Sequence, residues 1–80
     1  MGIKHTPTKF KQAVGQRLRS QIEYRFGKRK EYMFAKQIKI SQGSLSDILN
    51  GNSSPSAETL VRIHNRGKIN MVFLLTGDAA

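Results

Sequence analysis

Apolar residues recur at steps of four near the start of the chain, at Phe10, Val14, Leu18, Ile22 and Phe26, with Gln, Arg, Ser and Glu elsewhere. That period lays one apolar stripe along a helix and leaves the rest of its surface to solvent. Thr8 is placed to cap this helix, and Gly27 to stop it, because glycine accepts the left-handed conformation that follows many helix ends. Beyond the basic loop "GKRK" the helical period resumes in shorter pieces. A second helix is expected from Lys30 or Glu31 to Gln37, with Phe34, Ala35 and Ile38 facing inward. "IKI", Ile38 to Ile40, is long enough only for a turn. Ser41 then caps a third helix, "QGSLSDILN", on which Leu45, Ile48 and Leu49 share one face. Gly51 supplies its left-handed stop, and Pro55 forbids continuation. Ser56 caps a fourth helix, "AETLVRIHNR", closed by Gly67, and Asn70 a last one, "MVFLL", ended by Thr76 and Gly77. No segment alternates as a half-buried strand does. The pattern predicts an all-α domain of five short helices.

Composition narrows what such a domain does. Eighty residues make one small domain, which buries roughly 60% of its unfolded surface. There is no cysteine, so neither a disulfide nor a thiolate zinc site can staple it. His5 and His64 stand in unrelated places, and no metal or cofactor is expected. The five carboxylates are scattered, without a nucleophile–base set or a phosphate-cradling loop, which speaks against an enzyme. No apolar run approaches the ~18–20 residues that span a bilayer, and the basic start "MGIKHTPTKFKQ" lacks the apolar stretch of a secretion signal. A soluble, cytoplasmic chain is expected, organised as a basic arm (1–7), a folded domain (8–77) and a short tail or linker start (78–80).

The net charge is +9, which favours nucleic acid as partner before an anionic membrane surface. A membrane role would require apolar helix faces that the core already needs. Eleven of the fourteen cationic residues lie in the first 39 positions and the other three between Arg62 and Lys68. The third helix falls in the gap, without a single Lys or Arg.

Helices two and three carry the most information. A three-residue turn between short helices forces a steep, close crossing. It needs a small residue at the crossing, here Ala35, and apolar residues on the facing sides, here Phe34, Ile38, Ile40, Leu45 and Ile48. This is the spacing of a helix-turn-helix. Residues Glu31 to Asn50 resemble the helix-turn-helix of the lambda-type phage repressor family, the Cro and CI-like, XRE-type domains, and the likeness extends over about residues 13 to 77. "FAKQIKISQGSLSDILNG" is similar to the family's succession of Ala, turn, Ser-Gln, Ser-x-Leu/Ile and Asn-Gly. "SSPSAETLVRI" resembles its Pro-initiated fourth helix, and "INMVFLLTG" its Asn-x-x-Trp-Leu-Leu-Thr-Gly ending, with Phe73 where Trp is usual. Two positions depart from the family. Lys39 stands where Gly is common in the turn, at a strain of about 1 kcal/mol if φ is positive there. "RIHNRGK" is more polar than the family's close to the fourth helix, implying different packing or an interface.

The resemblance implies a compact five-helix, lambda-repressor-like domain that binds double-stranded DNA as a transcriptional repressor, with the helix 41–50 reading the major groove of an operator. On that helix Gly43, Ser46, Asp47 and Asn50 point away from the apolar face, with Gln42 and Ser44 on the flanks. Short side chains and amides suit a groove, because bulk prevents close approach. The expected base-contacting residues are Gln42, Gly43, Ser46 and Asp47. Gln42 occupies the position the family uses to pair bidentately with adenine. Asp47 accepts from cytosine N4, repels wrong sequences, or is simply solvated or ion-paired. Phosphate contacts are expected from Lys28, Arg29 and Lys30 ahead of helix two. They are also expected from Ser41 and Ser44, and from Asn50, Asn52, Ser53 and Ser54, which otherwise serve only as turn formers. Arg17, Arg19 and Lys36 are secondary candidates, and Met33, Met71 and Phe73 are expected in core or interface. A weak homodimer through the helix 70–75 would match a palindromic operator. A DNA-binding antitoxin and a protein-interaction module built on the same helix pair are the alternatives.

Overall fold

A computed structural model describes residues 8–78. The basic arm 1–7 and residues 79–80 lie outside the described residues. Five helices follow one another: α1 Thr8–Phe26, α2 Glu31–Ile38, α3 Gln42–Leu49, α4 Ala57–Asn65 and α5 Met71–Thr76. The expected all-α architecture holds, with no strand among the described residues. No described helix is long and apolar enough to cross a membrane.

The long α1 is the spine on which α2, α3 and α5 pack. Its stripe supplies Val14, Leu18 and Ile22 to a core shared with Phe34, Ala35 and Ile38 of α2, Leu45, Ile48 and Leu49 of α3, Ile63, Ile69 and Leu74. Burying each large side chain of this set contributes about 1.5–3 kcal/mol. The stripe frays at its ends: Phe10 is 41% exposed, and Phe26 sits edge-on to Phe34 with centroids 6.4 Å apart. Met33 is exposed, while Met71 and Phe73 are half-buried.

Three caps form as their sequence suggests, each an oxygen accepting from the backbone N–H three residues on. Ser41 Oγ accepts from Ser44 at 3.0 Å, Ser56 Oγ from Thr59 at 3.1 Å, and Asn70 Oδ1 from Phe73 at 3.0 Å. Thr8 is itself the first helical residue of α1. Gly27, Gly51 and Gly77 take the left-handed conformation. So does Lys39, at φ 64° and ψ 47°, and the Ile40 N–H closes on Ala35 O at 3.0 Å across the turn.

Two glycines serve packing instead. A Cβ on Gly15, inside α1, would lie 2.5 Å from Ile48 O and 2.7 Å from Leu49 O, so its absence lets α3 cross α1 backbone to backbone. Gly67 closes the α4 region without a positive φ, and Lys68 takes the left-handed conformation, at φ 59°. A Cβ on Gly67 would lie 2.5 Å from Ile63 O and 2.7 Å from the Phe34 ring. The backbone after α4 is held by side chains. Four successive carbonyls there receive side chains: Arg66 O from Gln37 Nε2 at 2.6 Å, Gly67 O and Lys68 O from the Arg25 guanidinium, and Ile69 O from His64 Nδ1 at 3.0 Å.

Candidate nucleic-acid interface

The turn 39–41 sets α3 across α2 and α1, with Leu45, Ile48 and Leu49 buried and its other side turned to solvent. Every residue expected to touch a base, Gln42, Gly43, Ser46 and Asp47, is exposed on that side. Gly43 differs in kind from Gly15 and Gly67. Its φ is ordinary, and a Cβ built on it meets nothing within 4 Å. Neither the fold's backbone nor its packing requires glycine there, although glycine in a helix costs about 1 kcal/mol relative to alanine.

Ser41 Oγ is occupied by its capping bond and also approaches Ser44 Oγ at 2.9 Å. Asn50 stands at the end of α3 with its amide engaged at both ends: Oδ1 accepts from Arg19 Nη2 at 3.1 Å, and Nδ2 donates to Ser46 Oγ at 3.3 Å. The Asp47 carboxylate makes no ion pair or hydrogen bond among the described residues, while its backbone carbonyl accepts from Asn52 and Ser53 and so folds the loop after α3. Within that loop Asn52 and Ser54 are exposed and Ser53 half-buried. Gly51 lies against α1: a Cβ on it would meet Gln12 Cγ at 2.8 Å.

Four of the six described arginines are engaged within the fold, Arg29 and Arg66 being the exceptions. Arg17 Nη1 donates to Leu74 O at 3.1 Å, tying α1 to α5. Arg19 pairs with Glu31 at 3.2 Å. Arg25 holds the α4–α5 turn. Arg62 donates to Lys39 O at 2.7 Å and pairs with Glu58 at 3.0 Å. Arg17 and Arg19, secondary phosphate candidates by sequence, thus both have partners within the fold. No described lysine side chain bonds another described residue. Lys28, Arg29 and Lys30 are all exposed in the turn before α2, and Arg29 takes φ 64°. Lys30, at the N-cap of α2, makes no side-chain capping bond. The first N–H groups of that helix therefore face outward beside three positive charges, an arrangement suited to phosphate.

One residue beside the reading face escaped the sequence reading. Tyr32, 47% exposed, separates two clefts that both reach Gln42. One, of about 320 Å³, is walled by Arg19, Glu31, Ser46 and the edges of Leu45 and Leu49. The other is lined by Ala35, Lys36 and Ile40. The signal for Tyr32 was its place one residue into α2, next to the N-terminus of α3.

The Helix-turn-helix family model matches residues 27–74, more than half of the chain. Comparison with curated proteins gives no match, and comparison with solved structures gives none. The matched segment runs from the basic turn through α2, α3 and α4 into α5. The chain belongs to the helix-turn-helix family, in the manner of the Cro, CI and XRE-type domains, and is a DNA-binding regulator.

Proposed function

We propose that this domain acts as a transcriptional repressor that recognises a palindromic operator in duplex DNA, with α3 seated in the major groove. The observation that carries the reading is Gly43: a helical glycine that the fold has no use for, at the centre of an exposed face free of Lys and Arg. An approaching base pair gives that missing side chain a purpose. Gln42, Ser46 and Asp47 surround it as readers of base edges. Lys28, Arg29 and Lys30, with Ser41, Ser44, Asn50, Asn52, Ser53 and Ser54, hold the flanking phosphates. Affinity and sequence preference are then carried by different residues.

Two copies would meet through α4 and α5. Leu60, Val61, Met71 and Leu75 line an apolar cleft of about 300 Å³ there, and Val72 is half exposed beside it. The lining of this cleft includes no lysine or arginine, so two such clefts can meet without opposing cations inside them. A weak dimer of this kind suits an operator with two half-sites.

In-vitro selection of bound duplexes from a random pool tests the reading. The expected product is an inverted repeat with half-sites about 10–10.5 base pairs apart. With about six phosphates neutralised, log K for that site should fall against log salt with a slope near −5. When the site overlaps a promoter, transcription should fall as protein is added. No enriched motif, or an affinity indifferent to salt, would overturn the proposal.

A further inference from the structure

Ser46 lies one turn beyond Gln42 on the outward side of α3. Its hydroxyl ends a chain of side chains that begins on α2 and passes through α1. Glu31 Oε2 holds Arg19 Nη1 at 3.2 Å, Arg19 Nη2 donates to Asn50 Oδ1 at 3.1 Å, and Asn50 Nδ2 donates to Ser46 Oγ at 3.3 Å. The direction of this chain is chemically determined. A guanidinium carries only donors, so the amide atom facing Arg19 must be the oxygen, and the nitrogen must then face Ser46. With its oxygen accepting from Asn50, the Ser46 hydroxyl turns its hydrogen elsewhere. Among the described residues nothing accepts that hydrogen, and Ser46 is exposed.

We infer that Arg19 and Asn50 set Ser46 as an outward-pointing hydrogen-bond donor, so that α3 reads at this position an acceptor on a base edge: purine N7, guanine O6 or thymine O4. The inference rests on α3 lying in the groove. Ser46 is the residue that touches the base; Asn50 and Arg19 are positioning residues, through which α1 takes part in sequence recognition without reaching the DNA. The Asn50 amide is thereby committed inward at both ends, and its share in phosphate binding is limited to its second N–H.

Asn50→Asp tests this by reversing polarity. The substitution keeps size and the Arg19 contact, but offers Ser46 an acceptor. The hydroxyl hydrogen then turns inward, and its lone pairs face the groove. Relative affinities for the four base pairs at each operator position are measured for the wild type, Ser46→Ala, Asn50→Asp and the double variant. Ratios are compared because the added negative charge weakens binding to every sequence alike. Ser46→Ala should relax preference at one position by about five- to tenfold, the size of one hydrogen bond. At that position Asn50→Asp should move preference toward an edge bearing a donor, cytosine N4 or adenine N6. That shift should vanish when Ser46 is already Ala. Arg19→Lys should retain the preference and Arg19→Met relax it. Ratios unmoved by Asn50→Asp, or moved equally without the Ser46 hydroxyl, overturn the inference. Gln42→Ala is the control: if it relaxes another position while the Ser46 series is inert, only the relay fails. If it too is inert, the placement of α3 in the groove fails with it.

Discussion

Single positions in this protein are used against their local preference, and each such choice can be measured. Gly43 sits exposed in α3 with open space where its side chain would be. Gly43→Ala should therefore raise the urea midpoint, by up to about 1 kcal/mol of stability. It should also weaken operator binding by about tenfold, within the range of one lost base contact. Opposite signs in the two titrations are the expected signature. Among the described residues, the three non-glycine residues with positive φ are Arg29, Lys39 and Lys68, all cationic. Each accepts about 1 kcal/mol of strain that glycine would avoid, so charge is kept at turns where the backbone favours glycine. Lys39→Gly should raise the melting temperature by about 4–8 °C for a domain of this size, since its contact with Arg62 runs through the backbone carbonyl and survives.

Among the helices, closeness of approach is what the glycines and arginines decide. Gly15→Ala puts a carbon on the Ile48 and Leu49 carbonyls, atoms that cannot yield without moving α3. A loss of about 1–3 kcal/mol is expected, read as a lowered urea midpoint with the transition still cooperative. The same substitution thus has opposite effects at Gly15 and Gly43. In the sequence both are glycines within a helical period, and nothing local tells them apart; the difference is what lies across from each. The arginines are equally opaque at this level. Arg17 and Arg25 look like solvated charges on α1, yet one reaches a carbonyl of α5 and the other two carbonyls of the α4–α5 turn. Their partners are more than forty residues away along the chain, beyond any pattern of spacing.

For the molecule as a whole, the engagement of Arg17, Arg19, Arg25 and Arg62 within the fold makes net charge a poor guide to the DNA footprint. Part of the +9 holds the fold together and is not free to meet phosphate. Lys28→Ala and Arg29→Gly (glycine because φ is positive there) should each reduce the salt slope by about one while leaving the preferred operator unchanged. Gln42→Ala should flatten the preference at its base pair by about 1–3 kcal/mol with the slope intact. Binding isotherms at several salt concentrations against matched and mismatched duplexes separate the two behaviours. A slope change on Gln42→Ala would contradict the division of labour.

Periodicity and capping chemistry determined the five helices, the buried faces of α1 to α3 and the exposure of Gln42, Gly43, Ser46 and Asp47, because each depends only on residues within a turn or two of one another. The turn residue flagged in the sequence, Lys39, is left-handed. What the tertiary structure alone decided lies between elements. It separated the glycines that packing demands from the one it does not, gave Arg17 and Arg19 partners on other helices, and gave the Asn50 amide a direction. Such outcomes depend on which atoms of distant segments meet, a matter of distance and hydrogen-bond polarity that a one-dimensional pattern does not carry.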